Sequence, residues 1–330
     1  MDRVLSLIQA CLLPAPMTTA EHTPSWQSRV VNRLIRARMR PYAVKPLDPV
    51  FLRLMMGRPR SVRRLMLLAS GARATHVDND VSHPPGDWVA ARDSTSDSPV
   101  VLYLHGGGFF GCSPVTHRPL VGSLVARLHA RAFVPYYRLA PEHPYPAALD
   151  DAMQSYRYLI NDLRIHPSRL ILAGDSAGGG LALSTAMRIR EEGLPQPVAI
   201  ITFSPWTDLA VTGRSIDENS ESCAMFAGIT IRRAAPLYLG TTLPTDPGPS
   251  PLYGDFRGLA PLLIHAGTDE VLRDDAVRVA ERAQAAGVTV QFRLWPRVPH
   301  VWQFFAGVMP EAAESLSLVS QFVKQHLHTK

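Results

Sequence analysis

The stretch Leu170-Ile171-Leu172-Ala173-Gly174-Asp175-Ser176-Ala177-Gly178-Gly179-Gly180 decides the fold. Its apolar beginning predicts a short buried strand, and residues 181–187, which follow it, predict a helix. A bare Gly-x-Ser-x-Gly also occurs in glycine-rich loops, but between a strand and a helix it is typical of a nucleophile elbow. Gly174 and Gly178 keep side chains away from the point where strand and helix cross. We therefore expect Ser176 at the tip of a strained turn, near the positive end of the helix.

Length and composition indicate one large domain, or one domain with a cap. The chain has 330 residues, of which 46% are hydrophobic, enough for a large core. No run of about 18 apolar residues occurs, so no membrane-spanning helix is predicted. Residues 4–13 are mostly apolar, but polar interruptions favour a packed or frayed N-terminal helix over a signal peptide.

The cysteines are odd in number and far apart, which predicts neither a disulfide framework nor a zinc site. They are Cys11, Cys112 and Cys223. Their spacing fits a reducing compartment, so we expect a cytoplasmic protein. Membrane association through the basic segment 26–73 is the alternative. We expect no metal and no cofactor.

Positive charge is concentrated in residues 26–73, which hold twelve Lys and Arg residues against the single acid Asp48. The apolar residues of one helical face there are Trp26, Val30, Val31, Leu34 and Ile35. This pattern predicts a basic amphipathic helix that ends at Pro41. Two readings stay open: a solvated cap helix, or an interfacial helix in peripheral contact with an anionic membrane. No nucleic-acid partner is expected, because aromatic residues are not interleaved with the arginines.

The first 75 residues are read as an N-terminal helical cap segment. Further helices are predicted at 51–56 and 61–69, and no strand is expected in this segment. Residues 76–330 are read as the catalytic domain.

In the second segment, strands and helices alternate. The predicted strands are 88–92, 100–104, 132–134, 170–173, 198–203, 262–264 and 288–294, and the predicted helices are 119–129, 147–159, 181–192, 274–286 and 311–326. Alternation of this kind predicts the α/β class, with a mostly parallel sheet and helices on both faces. Residues 207–258, with Gly and Pro clusters and one helix at 229–239, are read as a cap insertion that shapes the site. The strand 288–294 is expected to be last in the sheet, where its edge favours pairing with a second copy in a homodimer.

A serine hydroxyl needs a base to remove its proton and an acid that supports the base. In the α/β-hydrolase order, both follow the serine. His300 lies in a loop directly after the strand 288–294, so it is expected on the same rim as Ser176.

The acid is expected in the loop 267–275, which also follows a strand. Asp274 and Asp275 stand where a helix begins and are interpreted as its N-terminal caps and dipole partners. Asp269 and Glu270 remain, and either can orient the imidazole. The residues alone do not choose between them.

The oxyanion hole is expected in His105-Gly106-Gly107-Gly108-Phe109, which follows the strand 100–104. Three successive glycines let backbone N–H groups approach a ligand closely. The N–H of Ala177 completes the set. His105 is expected to brace the loop rather than to take part in catalysis.

His-Gly-Gly-Gly-Phe at 105–109, together with Gly-Asp-Ser-Ala-Gly-Gly at 174–179, resembles the hormone-sensitive lipase family of α/β-hydrolases, in its bacterial carboxylesterase branch. Further blocks that are similar to this family lie at 137–148, 204–209 and 250–252. The resemblance spans roughly residues 95 to 325.

The resemblance implies roles that spacing alone did not assign. The family's Asp-Pro-Leu-x-Asp block, matched to Leu272 and Asp274, puts Glu270 at the acid position, with Asp269 as second choice. The family's oxyanion donors correspond to Gly107 and Gly108.

The implied function is that of a serine carboxylesterase acting on short- to medium-chain acyl esters of small molecules. A lactone hydrolase or a small-molecule deacetylase would use the same triad and remains open. A non-catalytic binding module is disfavoured, because all three triad residue types are present. Pro135 and the segment 225–228 depart from the family pattern, which leaves cap shape and substrate open.

Overall fold

The computed structural model describes residues 18–19, 23–43, 45, 48–50, 53, 70–77 and 83–327. The predicted helices at 4–13 and 61–69 lie outside these residues, as does all of 51–56 except Arg53.

A nine-stranded sheet forms the centre of the protein, in the order β1-β9-β8-β7-β6-β4-β5-β3-β2. The strands are β1 Thr18–Thr19, β2 Ala72–Val77, β3 Gly86–Ala91, β4 Val100–Leu104, β5 Arg131–Pro135, β6 Leu170–Asp175, β7 Ala199–Phe203, β8 Leu262–Gly267 and β9 Val290–Trp295. Only the pairs β2–β3 and β3–β5 are antiparallel, and all the other pairs are parallel. The predicted α/β class is confirmed.

Helices cover both faces of the sheet. They are α1 Trp26–Ala43, α2 Pro114–Leu128, α3 Ala147–Arg157, α4 Ala177–Glu191, α5 Ser215–Glu218, α6 Gly228–Leu239, α7 Arg273–Ala285 and α8 Pro310–Leu327. Alternate residues of β4 enter two separate cores: Leu102 packs on the side of α3, α4 and α7, whereas Val101 packs on the side of α2 and α8. Of the helices in the described ranges, none is long and apolar enough to cross a membrane.

Two strands lie where none was expected. Strand β2 falls largely within the segment read as helical, and its register pairs Ala72 with Ala91 of β3. Sequence reasoning missed it because it is an edge strand with little apolar alternation: Arg73 is exposed and only Ala72 is buried in its first five residues. Strand β1 pairs with β9, so β9 is not last in the sheet, and its outer edge is covered at Arg293 and Leu294. The homodimer through this edge stays a prediction.

Several helix boundaries also differ from expectation, two of them at prolines. Helix α1 passes through Pro41 and ends at Ala43, because a proline in the last turn removes only one backbone hydrogen bond. Helix α2 begins at Pro114 rather than at Pro119. There the backbone of Ser113 and the hydroxyl of Thr116, in the first turn, exchange hydrogen bonds, and Pro114 occupies the first helical position.

Candidate active site

Ser176 stands at the turn between β6 and α4, with a φ of 53° that a non-glycine residue rarely adopts. The turn requires residues without a side chain at two positions, because other backbone segments pack directly against them. A Cβ atom on Gly174 would lie 2.2 Å from the carbonyl oxygen of Gly178, and one on Gly178 would lie 2.1 Å from that of Leu104. The expected strand-turn-helix geometry is therefore present, and Ser176 precedes the first residue of α4, Ala177.

Hydrogen bonds fix the backbone of Ser176 on both sides. Its N–H donates to the carbonyl of Phe203 at 2.8 Å, and its carbonyl accepts from the N–H of Trp206 at 2.9 Å. Since Phe203 ends β7, the serine is tied to the end of the neighbouring strand.

The structure brings Glu270 and His300 together at that same edge of the sheet. Glu270 Oε2 lies 2.5 Å from His300 Nδ1, and both side chains are buried, with 1% and 4% exposed. The other carboxylate oxygen, Oε1, accepts from Ser204 Oγ at 2.7 Å and from the N–H of Gly267 at 2.6 Å. Asp269 does not share this arrangement: it is partly exposed and accepts from the Thr268 hydroxyl at 2.8 Å.

The second ring nitrogen of the histidine, His300 Nε2, is buried and has no hydrogen-bond partner among the described residues. The ring of Phe226 meets the imidazole edge-on, with centroids 5.1 Å apart. No hydrogen bond joins Nε2 to Ser176 Oγ within the described ranges, and such bonds are often long until substrate binds. This nitrogen is therefore free to accept a proton.

Two glycines of the predicted oxyanion loop adopt conformations that only glycine accommodates without strain. Gly107 has a φ of 121° and Gly108 a φ of 67°. The carbonyl of Gly107 accepts from the N–H groups of Phe110 and Gly111, which closes a tight turn. The N–H of Ala177, at the first position of α4, lacks an acceptor within its own helix.

Asp175 links this loop to the elbow. Its buried carboxylate accepts from the hydroxyl of Tyr103 at 2.9 Å and from the N–H of Gly106 at 3.1 Å, and His117 Nε2 lies 3.2 Å away. Burial opposes its charge, but His117 and these hydrogen bonds hold the pKa of Asp175 below its ordinary value. A charged carboxylate therefore holds the oxyanion loop to the residue that precedes the serine.

The surroundings of His105 are those of a residue that braces the loop. Burial lowers the pKa of His105 to about 3, so the ring is neutral at physiological pH. It stacks on Tyr137 with centroids 4.2 Å apart, and its Nδ1 lies 2.8 Å from the carbonyl oxygen of Gly106. These contacts brace the loop.

Comparisons with known proteins agree with this geometry. A family model described as the alpha/beta hydrolase fold matches residues 101–304. An acetyl-hydrolase of Streptomyces hygroscopicus is 39% identical over 260 residues, covering 76% of this chain and 87% of that protein. An esterase of Acinetobacter venetianus is 32% identical over 306 residues, covering 90% of this chain and 96% of that protein.

Among solved structures, an esterase from the bacterial hormone-sensitive lipase family superposes with a TM-score of 0.79 and 34% identity, over 93% of this chain and 100% of that one. The chain belongs to the hormone-sensitive lipase family of α/β-hydrolases. It is a carboxylic ester hydrolase.

Sequence reasoning predicted that Asp274 and Asp275 cap the helix α7 of this hydrolase. Their carboxylates instead accept hydrogen bonds from another segment. Asp275 accepts from the N–H groups of Thr207 and Asp208, at 2.7 and 2.8 Å, and Asp274 accepts from the N–H of Ser215 at 3.0 Å. Their oxygens turn away from their own helix because unpaired N–H groups of the insertion 207–258 face them. Burial raises the pKa of Asp275 to about 7.

Three residues of the hydrolase site were missed from sequence. Ser204 bridges the acid and base loops, since its hydroxyl also accepts from the N–H of Val301 at 3.3 Å. Asn219 donates to the carbonyl of Glu270 at 2.8 Å, and Phe226 packs on the imidazole. Ser204 directly follows a strand, and that position is the signal that identified the other loops of the site. No local sequence feature identifies Asn219 or Phe226.

Proposed function

We propose that this esterase cleaves short- to medium-chain acyl esters with Ser176 as nucleophile, His300 as base and Glu270 as the acid that orients the base. The observation that carries the proposal is the buried pair of Glu270 and His300, whose second nitrogen is unpaired, at strand ends next to the elbow. A carboxylate on Nδ1 fixes the neutral tautomer with its lone pair on Nε2.

The residues support a two-stage reaction. In the first stage, His300 Nε2 takes the proton of Ser176 Oγ while this oxygen attacks the ester carbonyl. The carbonyl oxygen becomes an oxyanion, which the N–H groups of Gly107, Gly108 and Ala177 stabilise. His300 then gives the proton to the leaving alcohol, and an acyl-enzyme remains.

In the second stage, His300 removes a proton from a water molecule that attacks the acyl-enzyme. The proton returns to Ser176 as the acid product leaves. The charge of Glu270 favours the imidazolium that forms in both stages.

We also propose that α1 and the insertion 207–258 form a cap over this site. Three aromatic side chains support a preference for small acyl groups. The ring of Phe109 stacks on that of Tyr238 with centroids 3.6 Å apart, and it lies 6.0 Å from the ring of Trp206. The backbone N–H of Trp206 donates to the Ser176 carbonyl. These buried rings pack against one another, and the backbone of Trp206 joins them to the nucleophile turn.

Acetyl esters are the first substrates to try, because the Streptomyces relative is named an acetyl-hydrolase. A lactone hydrolase is the second candidate, since the same attack on a cyclic ester leaves the alcohol attached to the acid product. A screen of acyl chains from two to twelve carbons, with lactones and acetylated small molecules included, separates these substrates.

The test of the proposal is Ser176→Ala, with p-nitrophenyl butyrate as substrate. We expect kcat to fall by at least about 10⁴-fold, because the remaining groups can only polarise the substrate. Ser184→Ala is the matched control, because Ser184 is a buried serine of α4 for which no side-chain hydrogen bond is found among the described residues. A fluorophosphonate should label Ser176 in the wild type. Full activity of Ser176→Ala, or labelling at another residue, refutes the proposal.

A further inference from the structure

Helix α1 is attached to the rest of the protein by polar side chains at every fourth position. Ser28 Oγ and Asn32 Nδ2 both donate to one carbonyl in the loop before the candidate base, at 3.2 and 2.6 Å. Further along, Arg36 and Arg40 donate to carbonyl oxygens of segment 220–226. The polar face of this helix is therefore the packed face.

Its main apolar stripe faces outward instead. Trp26, Val30 and Leu34 are 64%, 41% and 65% exposed, respectively. Because an α-helix turns by about 100° per residue, these three side chains point away from the packed face. Val31, one position further round, is the α1 residue that packs against a buried apolar cluster. We call Trp26, Val30 and Leu34 the outer stripe.

Positive charge lies next to the outer stripe. Arg29 and Arg33 are exposed, and neither has an ion-pair partner within the described ranges. The helix contains five arginines and no acidic residue. An exposed apolar stripe flanked by uncompensated arginines is the pattern of a helix that lies in a membrane interface.

We propose that the outer stripe binds the surface of an anionic lipid membrane. The indole of Trp26 suits the headgroup region, the aliphatic side chains enter the boundary with the acyl chains, and Arg29 and Arg33 pair with lipid phosphates. A second copy docked through the same face would place these arginines against their own copies, so charge opposes that occupant. The proposal does not depend on the assignment of the catalytic residues.

Tryptophan fluorescence provides a direct test. Of the five tryptophans, Trp206, Trp295 and Trp302 are buried and Trp88 is half-buried, so Trp26 is the exposed one. On vesicles of equal parts phosphatidylcholine and phosphatidylglycerol, we expect a blue shift and quenching by brominated acyl chains. Trp26→Phe should remove both signals. Pure phosphatidylcholine vesicles should give much weaker binding at low salt.

Sedimentation with the same vesicles measures the partition coefficient. Arg29→Gln with Arg33→Gln should lower it about 25-fold at low salt, at about fivefold for each charge. Trp26→Ser with Leu34→Ser should lower it at least about tenfold. Leu243→Ser is the matched control, because Leu243 is 72% exposed elsewhere on the surface, and it should leave the coefficient unchanged. Circular dichroism checks that each variant is folded.

Three results would overturn the proposal. The first is wild-type protein that does not bind the anionic vesicles at low salt. The second is an outer-stripe variant that binds as well as the Leu243→Ser control. The third is a wild-type dimer, seen by light scattering, that the outer-stripe variant converts to a monomer, since this would identify a second copy as the occupant.

Discussion

The substitution Glu270→Gln tests how the candidate acid acts, because it removes one charge and keeps the length of the side chain. The carboxylate oxygen is 2.5 Å from His300 Nδ1, which places the carboxylate charge about 4 Å from the centre of charge of an imidazolium. With an effective dielectric constant of about 20, the attraction at this distance is about 4 kcal/mol. Losing it from the transition state corresponds to about a 10³-fold lower kcat.

A second effect adds to the loss of charge. The glutamine amide can donate to Nδ1, which selects the tautomer with its proton on Nε2 and removes the base. The loss can then reach about 10⁴-fold, as for the comparable substitution in serine-protease triads. KM should change little, because the carboxylate supports the imidazole and does not touch the substrate.

The assay is steady-state hydrolysis of p-nitrophenyl butyrate from pH 5 to pH 9. Asp269→Asn is the matched control: it makes the same change of charge one residue away, at a partly exposed carboxylate bonded to Thr268. We expect that control to lose less than about threefold, as for an exposed charge that contributes little. Equal losses in the two variants, or a Glu270→Gln enzyme within tenfold of the wild type, would refute the reasoning.

Three more predictions address the support of the site. Ser204→Ala removes one hydrogen bond from the acid and one from the base loop, so we expect about a tenfold lower kcat with little change in KM, measured with the same ester. Gly107→Ala places a Cβ atom 2.3 Å from the Gly111 carbonyl oxygen, so kcat should fall at least about 10²-fold while circular dichroism stays native. Burial raises the pKa of Asp275 from 3.8 to about 7, so the folded chain keeps a proton that the unfolded chain releases in this range. Stability should therefore fall as pH rises from about 4 to about 7, by at most about 1.4 kcal/mol per pH unit, and urea titrations of Asp275→Asn should lack this component.

Local features of the chain predicted much of the fold. The elbow was predictable because strand, turn and helix are adjacent in sequence and Gly174 is required by a contact within the turn itself, with Gly178. Gly178, in contrast, is required by a distant contact, with the backbone of Leu104. Helix α6 was predicted within one residue, and β4 at its observed bounds. Strand β2 was missed because its partner β3, rather than its own apolar pattern, defines it.

Features that depend on distant contacts were not predictable. Ser204 and Glu270 are 66 positions apart, and only the folded sheet brings the hydroxyl to the carboxylate. Asp275 was assigned to its own helix because that was the nearest set of N–H groups in sequence, yet its partners lie 68 and 67 positions away. Sequence spacing alone also did not distinguish Asp269 from Glu270 as the acid that orients the imidazole. The family resemblance favoured Glu270, and this residue is the one in contact with His300.

The contacts of segment 219–226 show that it is not structurally independent of the Glu270–His300 pair. Asn219 Nδ2 binds the backbone of the acid loop, and the ring of Phe226 packs on the imidazole of His300. From outside, Arg40 of α1 donates to the carbonyl of Phe226 at 3.0 Å. A displacement of this segment therefore moves groups that hold both the candidate acid, Glu270, and the candidate base, His300. The segment 219–226 is, in physical terms, part of the scaffold that sets the geometry of the Glu270–His300 pair.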